Sequence, residues 1–205
     1  VSGIETIFFL FMVTVISFSG VALPGPVFAA TIEKSYHNQY AGFFIALGHC
    51  IAEAPVILII YLGLKRFLEF RIISLLVSLT GGLVLIWMGF SMFRLRRQSN
   101  NQKSSIPLSS PSTGFVTTAS NPLYYAWWFT VGAALVGRIV PEGLTVLIFF
   151  IIFHWLADIG WLTFVSITIH KSRHLWSQRT KTWVFSMCSF LLMGFGLFFL
   201  LQPFI

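Results

Sequence analysis

The sequence predicts an all-α membrane protein, with six transmembrane helices arranged as a 3+3 inverted repeat and the first and fourth helices broken at proline motifs. Three observations predict it. The chain is 57% hydrophobic and only 9% charged, with a mean hydropathy of +0.86, where a soluble domain carries about 25% charged residues. Its 205 residues leave room for roughly six spans of about 20 residues and for no separate extramembrane domain. Finally, His49 and Glu53 return as His154 and Asp158, and Met88-Gly89-Phe90 returns as Met193-Gly194-Phe195, each 105 positions later. A common offset in two otherwise apolar halves is the mark of a duplicated membrane unit.

The first span runs from about Ile4 to Ala22, meets Pro24-Gly25-Pro26 and continues toward Thr31. The two prolines remove backbone donors and kink the helix, while Gly25 allows another backbone to approach. Carbonyls freed inside a bilayer must face protein or a water-filled cavity, so the break is a candidate binding element; a simple kink near the interface is the other reading. The run lacks the basic start of a signal peptide and is read as a retained span. A short loop from Glu33 to Tyr40 leads into the second span, about Ala41 to Leu64, which carries His49 and Glu53. After Lys65, Arg66, Glu69 and Arg71, the third span covers about Ile72 to Phe93, with Gly81, Gly82 and Gly89 suited to close helix packing.

From Arg94 to Thr113 the chain is basic, then rich in Ser, Asn and Pro, a composition that cannot bury a core and predicts a mobile cytoplasmic linker. The domain organisation is therefore a first three-helix repeat at 1–93, a linker at 94–113 and a second repeat at 114–205. The fourth span, about Gly114 to Val136, contains Ser120-Asn121-Pro122 near its start, so Pro122 interrupts it as the proline pair interrupts the first. The fifth span, about Pro141 to Thr168, carries His154 and Asp158, and the sixth covers about Thr182 to Leu201. Three spans per unit is an odd number, so the second copy enters the membrane in the opposite sense.

Charge fixes the orientation. The loops after spans one, three and five hold Lys34, Arg94, Arg96, Arg97, Lys103, Lys171, Arg173, Arg179 and Lys181, while the other side holds only Lys65, Arg66, Arg71 and Arg138. Nine against four places the odd loops in the cytoplasm and both termini outside a cytoplasmic (inner) membrane. The net charge of +7 is thereby explained by topology, without nucleic acid as a partner. Cys50 and Cys188 lie in separate apolar runs with no Cys-x-x-Cys, which argues against a disulfide framework or a thiol relay.

Glu53 and Asp158 fall near the middle of their spans, where a charge costs about 2.5 kcal/mol or more. Each has a histidine four residues earlier, on the same helix face and within hydrogen-bonding reach, so each pair can hold and release a proton. Recurrence beside two broken helices points to a transporter's central site; an internal neutral lock is the competing reading. Tyr124, Tyr125, Trp127 and Trp128 crowd after the Asn121-Pro122 break. Belts and packing account for most such aromatics, with Tyr124 the candidate for lining a cavity. No nucleotide-binding loop, metal-binding tail or nucleophile constellation is present, so neither an enzyme nor a cofactor is expected.

Pro24-Gly25-Pro26 closing the first span, Asn121-Pro122 opening the fourth, and the Gly89 and Gly194 regions late in each half resemble the lysine-exporter (LysE/RhtB-type) family of amino-acid translocators. The resemblance covers nearly the whole chain. It implies a small inner-membrane exporter that drives amino acids or related metabolites out with the proton gradient. Typical members carry glycines and an acidic residue in the second span, and His-x-x-x-Glu here looks like an archaeal branch. On this basis the substrate's ammonium meets Glu53 or Asp158, and its carboxylate meets backbone donors at a broken helix, with Asn121 adding a hydrogen bond. The rival is a divalent-cation exporter using His49, Glu53, His154 and Asp158 as ligands, with Cys50 as a further soft donor. A structural or scaffold membrane protein is the third class. Expected partners are a small-molecule substrate, protons and membrane lipid; a homo-oligomer is compatible with the sequence.

Overall fold

The structure, a computed structural model, describes residues 3–22, 25–63, 71–95 and 104–201; Pro24, Lys65, Arg66, Arg96, Arg97 and Lys103 lie outside them. The described residues form helices and turns, with no strand among them. In chain order these are α1 (Gly3–Val21), α2 (Pro26–His37), α3 (Ala41–Tyr61), α4 (Arg71–Leu95), α5 (Ser110–Ala119) and α6 (Pro122–Trp127). A π turn at Trp128–Gly132 joins α6 to α7 (Ala133–Ile139), and a 3-10 turn at Val140–Glu142 precedes α8 (Leu144–Ser172) and α9 (Gln178–Leu201).

Local chemistry sets the helix starts. Pro26 occupies the first turn of α2, where its missing N–H costs nothing, and Gly25 before it is extended. The Ser109 hydroxyl caps α5 by accepting from the Ser112 amide, and the Asn121 side chain caps α6 by accepting from the Leu123 amide at 3.0 Å. Gly143, at φ +86°, makes the sharp turn into α8.

Four helical stretches are long and apolar enough to cross a membrane: Ala41–Tyr61, Leu123–Glu142, Leu144–Leu175 and Gln178–Leu201. Phe8–Phe18 within α1 and Ser78–Arg94 within α4 are shorter apolar stretches. Exposed side chains such as Phe11, Ile51, Leu83, Leu156 and Phe164 cover the outside with hydrocarbon, as a lipid-facing surface requires. The chain is thus a multi-pass membrane protein.

The interior is assembled by close backbone approaches. A Cβ at Gly48 of α3 would collide with the Pro111 carbonyl of α5, and one at Gly114 of α5 with the Ile45 carbonyl of α3. These two helices therefore pack backbone to backbone, the arrangement small residues permit in membranes. Elsewhere α1 packs on α8, α3 on α8 and α4 on α9.

The end of the linker differs from the mobile segment its composition predicts. Helix α5 begins at Ser110, inside the expected linker. Ser105 and Ile106 are buried and held by the end of α2. Both oxygens of Glu33 accept hydrogen bonds there: Oε1 from the Ser105 amide at 2.6 Å and hydroxyl at 2.7 Å, and Oε2 from the Ser104 hydroxyl at 2.6 Å. Lys34 Nζ donates to the Leu108 carbonyl at 2.6 Å and the Ile106 carbonyl at 3.3 Å. The serines that make the segment polar are the groups that satisfy a buried carboxylate.

Candidate functional site

Crossing of α3 and α8 turns two i,i+4 pairs into one cluster. Within the pairs, His49 Nε2 lies 3.1 Å from Glu53 Oε1 and His154 Nε2 lies 3.5 Å from Asp158 Oδ2. Between them, His154 Nε2 lies 3.3 Å from Glu53 Oε2, and His49 Nε2 lies 3.7 Å from Asp158 Oδ2. Glu53, His154 and Asp158 are each at most 3% exposed. Two imidazoles thus face two carboxylates, so each of the four buried ionisable groups has a partner.

Each imidazole is oriented by a hydroxyl from the opposite half of the chain. Ser17 of α1 lies 2.6 Å from His154 Nδ1, and Thr118 of α5 lies 2.7 Å from His49 Nδ1. The Ser17 hydroxyl also lies 2.7 Å from the Val13 carbonyl. With Nδ1 of each ring on a hydroxyl, Nε2 of each ring faces Glu53 and Asp158.

Aromatic rings pack around His154. Trp127 and Phe150 stack on it at ring-centroid distances of 5.8 and 5.9 Å, and Trp128 meets it edge-on at 5.1 Å. The Trp128 indole N–H also donates to Glu53 Oε1 at 3.1 Å. Trp128 sits at the start of the π turn, an irregularity that re-aims side chains and recurs at functional sites.

The two histidines, the two carboxylates, Trp127 and Trp128 border a cavity of about 190 Å³, whose wall also includes Gly25, Pro26, Asn121 and Tyr124. Gly25 and Pro26 at the start of α2 and Asn121 before α6 thus contribute to one space. Pro122 is the first residue of α6, and Pro24 lies outside the described residues. Asn121 accepts from the Leu123 amide through its side-chain oxygen, and its two amide hydrogens remain as donors toward a ligand. Tyr124 reaches toward the Ala52 carbonyl at 3.4 Å.

Three side chains, His49, Glu53 and Asp158, offer ligand atoms within 4.8 Å of one another, close enough to share one cation. Cys50 is buried and outside that group. Sequence reasoning treated Trp127 and Trp128 as belt or packing residues and did not single out Ser17 or Thr118. The π turn that aims Trp128 has no sequence signal, and Ser17 and Thr118 look like ordinary helix hydroxyls until α1 and α5 are placed against α8 and α3.

A family model described as LysE type translocator matches residues 18–203 of the chain. No curated protein and no solved structure matches it.

Proposed function

Because the chain belongs to the LysE type translocator family, whose members are transporters of small molecules, we propose that it is a secondary exporter. It moves amino acids or related small metabolites across the cytoplasmic membrane, driven by protons. The observation that carries this reading is the convergence of His49, Glu53, His154 and Asp158 on one cavity bordered by Gly25-Pro26 and Asn121. Exchangeable protons, a cation site and free backbone donors then share one space, which is what coupling requires.

The proposal includes the 3+3 inverted repeat, 1–93 and 114–205, with both termini outside. Support comes from the exchange of partners between halves: α1 packs on α8 as α5 packs on α3, and each supplies the hydroxyl for the other half's histidine. The archaeal-like branch rests on His-x-x-x-Glu in the second span alone. Orientation is tested at Pro107, which is exposed: a cysteine there should react with an impermeant maleimide only after permeabilisation. Labelling of intact cells would reverse the topology.

A second reading is favoured by the mutual closeness of His49, Glu53 and Asp158, which suits a divalent cation such as zinc or manganese as the exported substrate. Purified protein in proteoliposomes with an imposed pH gradient separates the two. Flux of radiolabelled amino acids that follows the gradient, and falls to background in a Glu53→Gln, Asp158→Asn double variant, supports the first. Gradient-driven zinc or manganese flux without amino-acid flux supports the second, and unchanged flux in the double variant would reduce the cluster to a structural lock.

A further inference from the structure

The two central carboxylates are not equivalent. Glu53 Oε1 is approached from three sides, by the Trp128 indole N–H at 3.1 Å, His49 Nε2 at 3.1 Å and His154 Nε2 at 3.4 Å. Its Oε2 accepts no hydrogen bond from the described residues but rests 3.3 Å from His154 Nε2. Asp158 has no such anchor: its Oδ2 is buried, accepts no hydrogen bond from the described residues, and meets the two imidazoles only at 3.5 and 3.7 Å. A buried carboxylate oxygen without a donor is costly, and Asp158 borders the cavity.

A second set of unused groups borders the same cavity. At the start of α2, Gly25, Val27 and Phe28 contribute to the wall, and the first helical hydrogen bond from this end is Ala29 N–H to the Gly25 carbonyl. The amides of Val27 and Phe28 precede it, where a helix has donors without partners inside the helix, and the helix dipole adds positive potential there. The corresponding end of α6 has a six-residue helix and an Asn121 cap already in place, so α2 is the better anion end. The volume of about 190 Å³ equals about six waters at roughly 30 Å³ each, which admits an ammonium, a carboxylate and a short side chain.

We infer that the transported amino acid docks its ammonium on Asp158 and its carboxylate on the N-terminus of α2, with Glu53 as a positioning residue that holds the histidines. This rests on the amino-acid reading above. It selects Asp158 over Glu53 and α2 over α6, choices the sequence left open.

The test uses the purified full chain in lipid nanodiscs, binding [14C]alanine, serine and leucine singly, with thermal unfolding measured on the same samples. Competitors are the N-acetyl and the carboxamide derivatives of the amino acid that binds best. Both should compete at least about tenfold more weakly than the parent, because each removes one charged contact. Asp158→Asn should weaken binding at least about tenfold without lowering the unfolding temperature, and Asp158→Glu should recover part of the loss. Glu53→Gln should show the opposite balance, with the larger fall in unfolding temperature and the smaller loss of binding.

Asp158→Asn binding as tightly as wild type, or the amide competing as well as the free acid, would overturn the inference while leaving an amino-acid transporter in place. Binding of none of the three amino acids by the wild type would overturn the reading beneath it.

Discussion

Glu33, at the end of α2, and Asp158, in the middle of α8, are both buried carboxylates, 0% and 2% exposed, and they are treated in opposite ways. Glu33 accepts three hydrogen bonds of 2.6 to 2.7 Å from Ser104 and Ser105, and its neighbour Lys34 is satisfied by carbonyls of the same segment. Asp158 keeps an oxygen without a donor. Burial alone therefore does not distinguish a site from a strut; the hydrogen bonds left unmade do. A saturated carboxylate contributes to holding the fold, whereas an unsaturated one beside a cavity stores a demand that a ligand can meet.

The largest stability effect should come from breaking the saturated end of that comparison. Glu33→Ala removes the acceptor for two hydroxyls and an amide and strands buried polar groups, at a cost of about 3 kcal/mol or more. It should appear as the largest fall in unfolding temperature among these variants and as protease cleavage around Pro107. An unfolding temperature equal to wild type would mean that the contact is incidental.

A smaller effect sharpens the contrast between two copies of one motif. Gly89 is pressed against α9, where a Cβ would meet Met193 at 2.7 Å and the Ser189 carbonyl at 2.8 Å, while Gly194 faces open space. Gly89→Leu should cost about 1 to 3 kcal/mol by overpacking and Gly194→Leu close to nothing, measured by thermal unfolding in the same detergent. Equal losses would show that the repeat is used alike in both halves.

Smaller again is Ser17→Ala, which removes the hydrogen-bond partner of His154 Nδ1 and should cost about 1 kcal/mol, with Ser17→Thr retaining most of the stability. At the bottom of the scale, Asp158→Asn should change stability least, since Asp158 Oδ2 accepts no hydrogen bond from the described residues and meets the imidazoles only at 3.5 and 3.7 Å.

The all-helical, membrane-spanning character was legible because apolar runs are local signals. Helix α3 starts at Ala41, where the sequence places the second span, and α6 begins at Pro122 after its Asn121 cap. The need of the four ionisable residues for partners was legible too, since a charge in an apolar run must be paired. Their cross-pairing was not, because contact between Glu53 and His154 depends on how α3 crosses α8. The ordered serines at 104 and 105 were misleading for a related reason: their composition reads as solvated linker until Glu33 and Lys34 are placed beneath them. Gly89 and Gly194 have identical neighbours in sequence and different ones in space, so no local reading separates them.

The contrast between a saturated and an unsaturated carboxylate is tested most directly by gradient-driven amino-acid flux in proteoliposomes, normalised to folded protein, for Glu33→Gln and Asp158→Asn alongside their unfolding temperatures. Glu33→Gln should unfold at lower temperature while each folded molecule keeps at least about half of wild-type flux. Asp158→Asn should keep its unfolding temperature and lose at least about nine-tenths of its flux. Full flux in Asp158→Asn, or loss of flux confined to Glu33→Gln, would contradict the account.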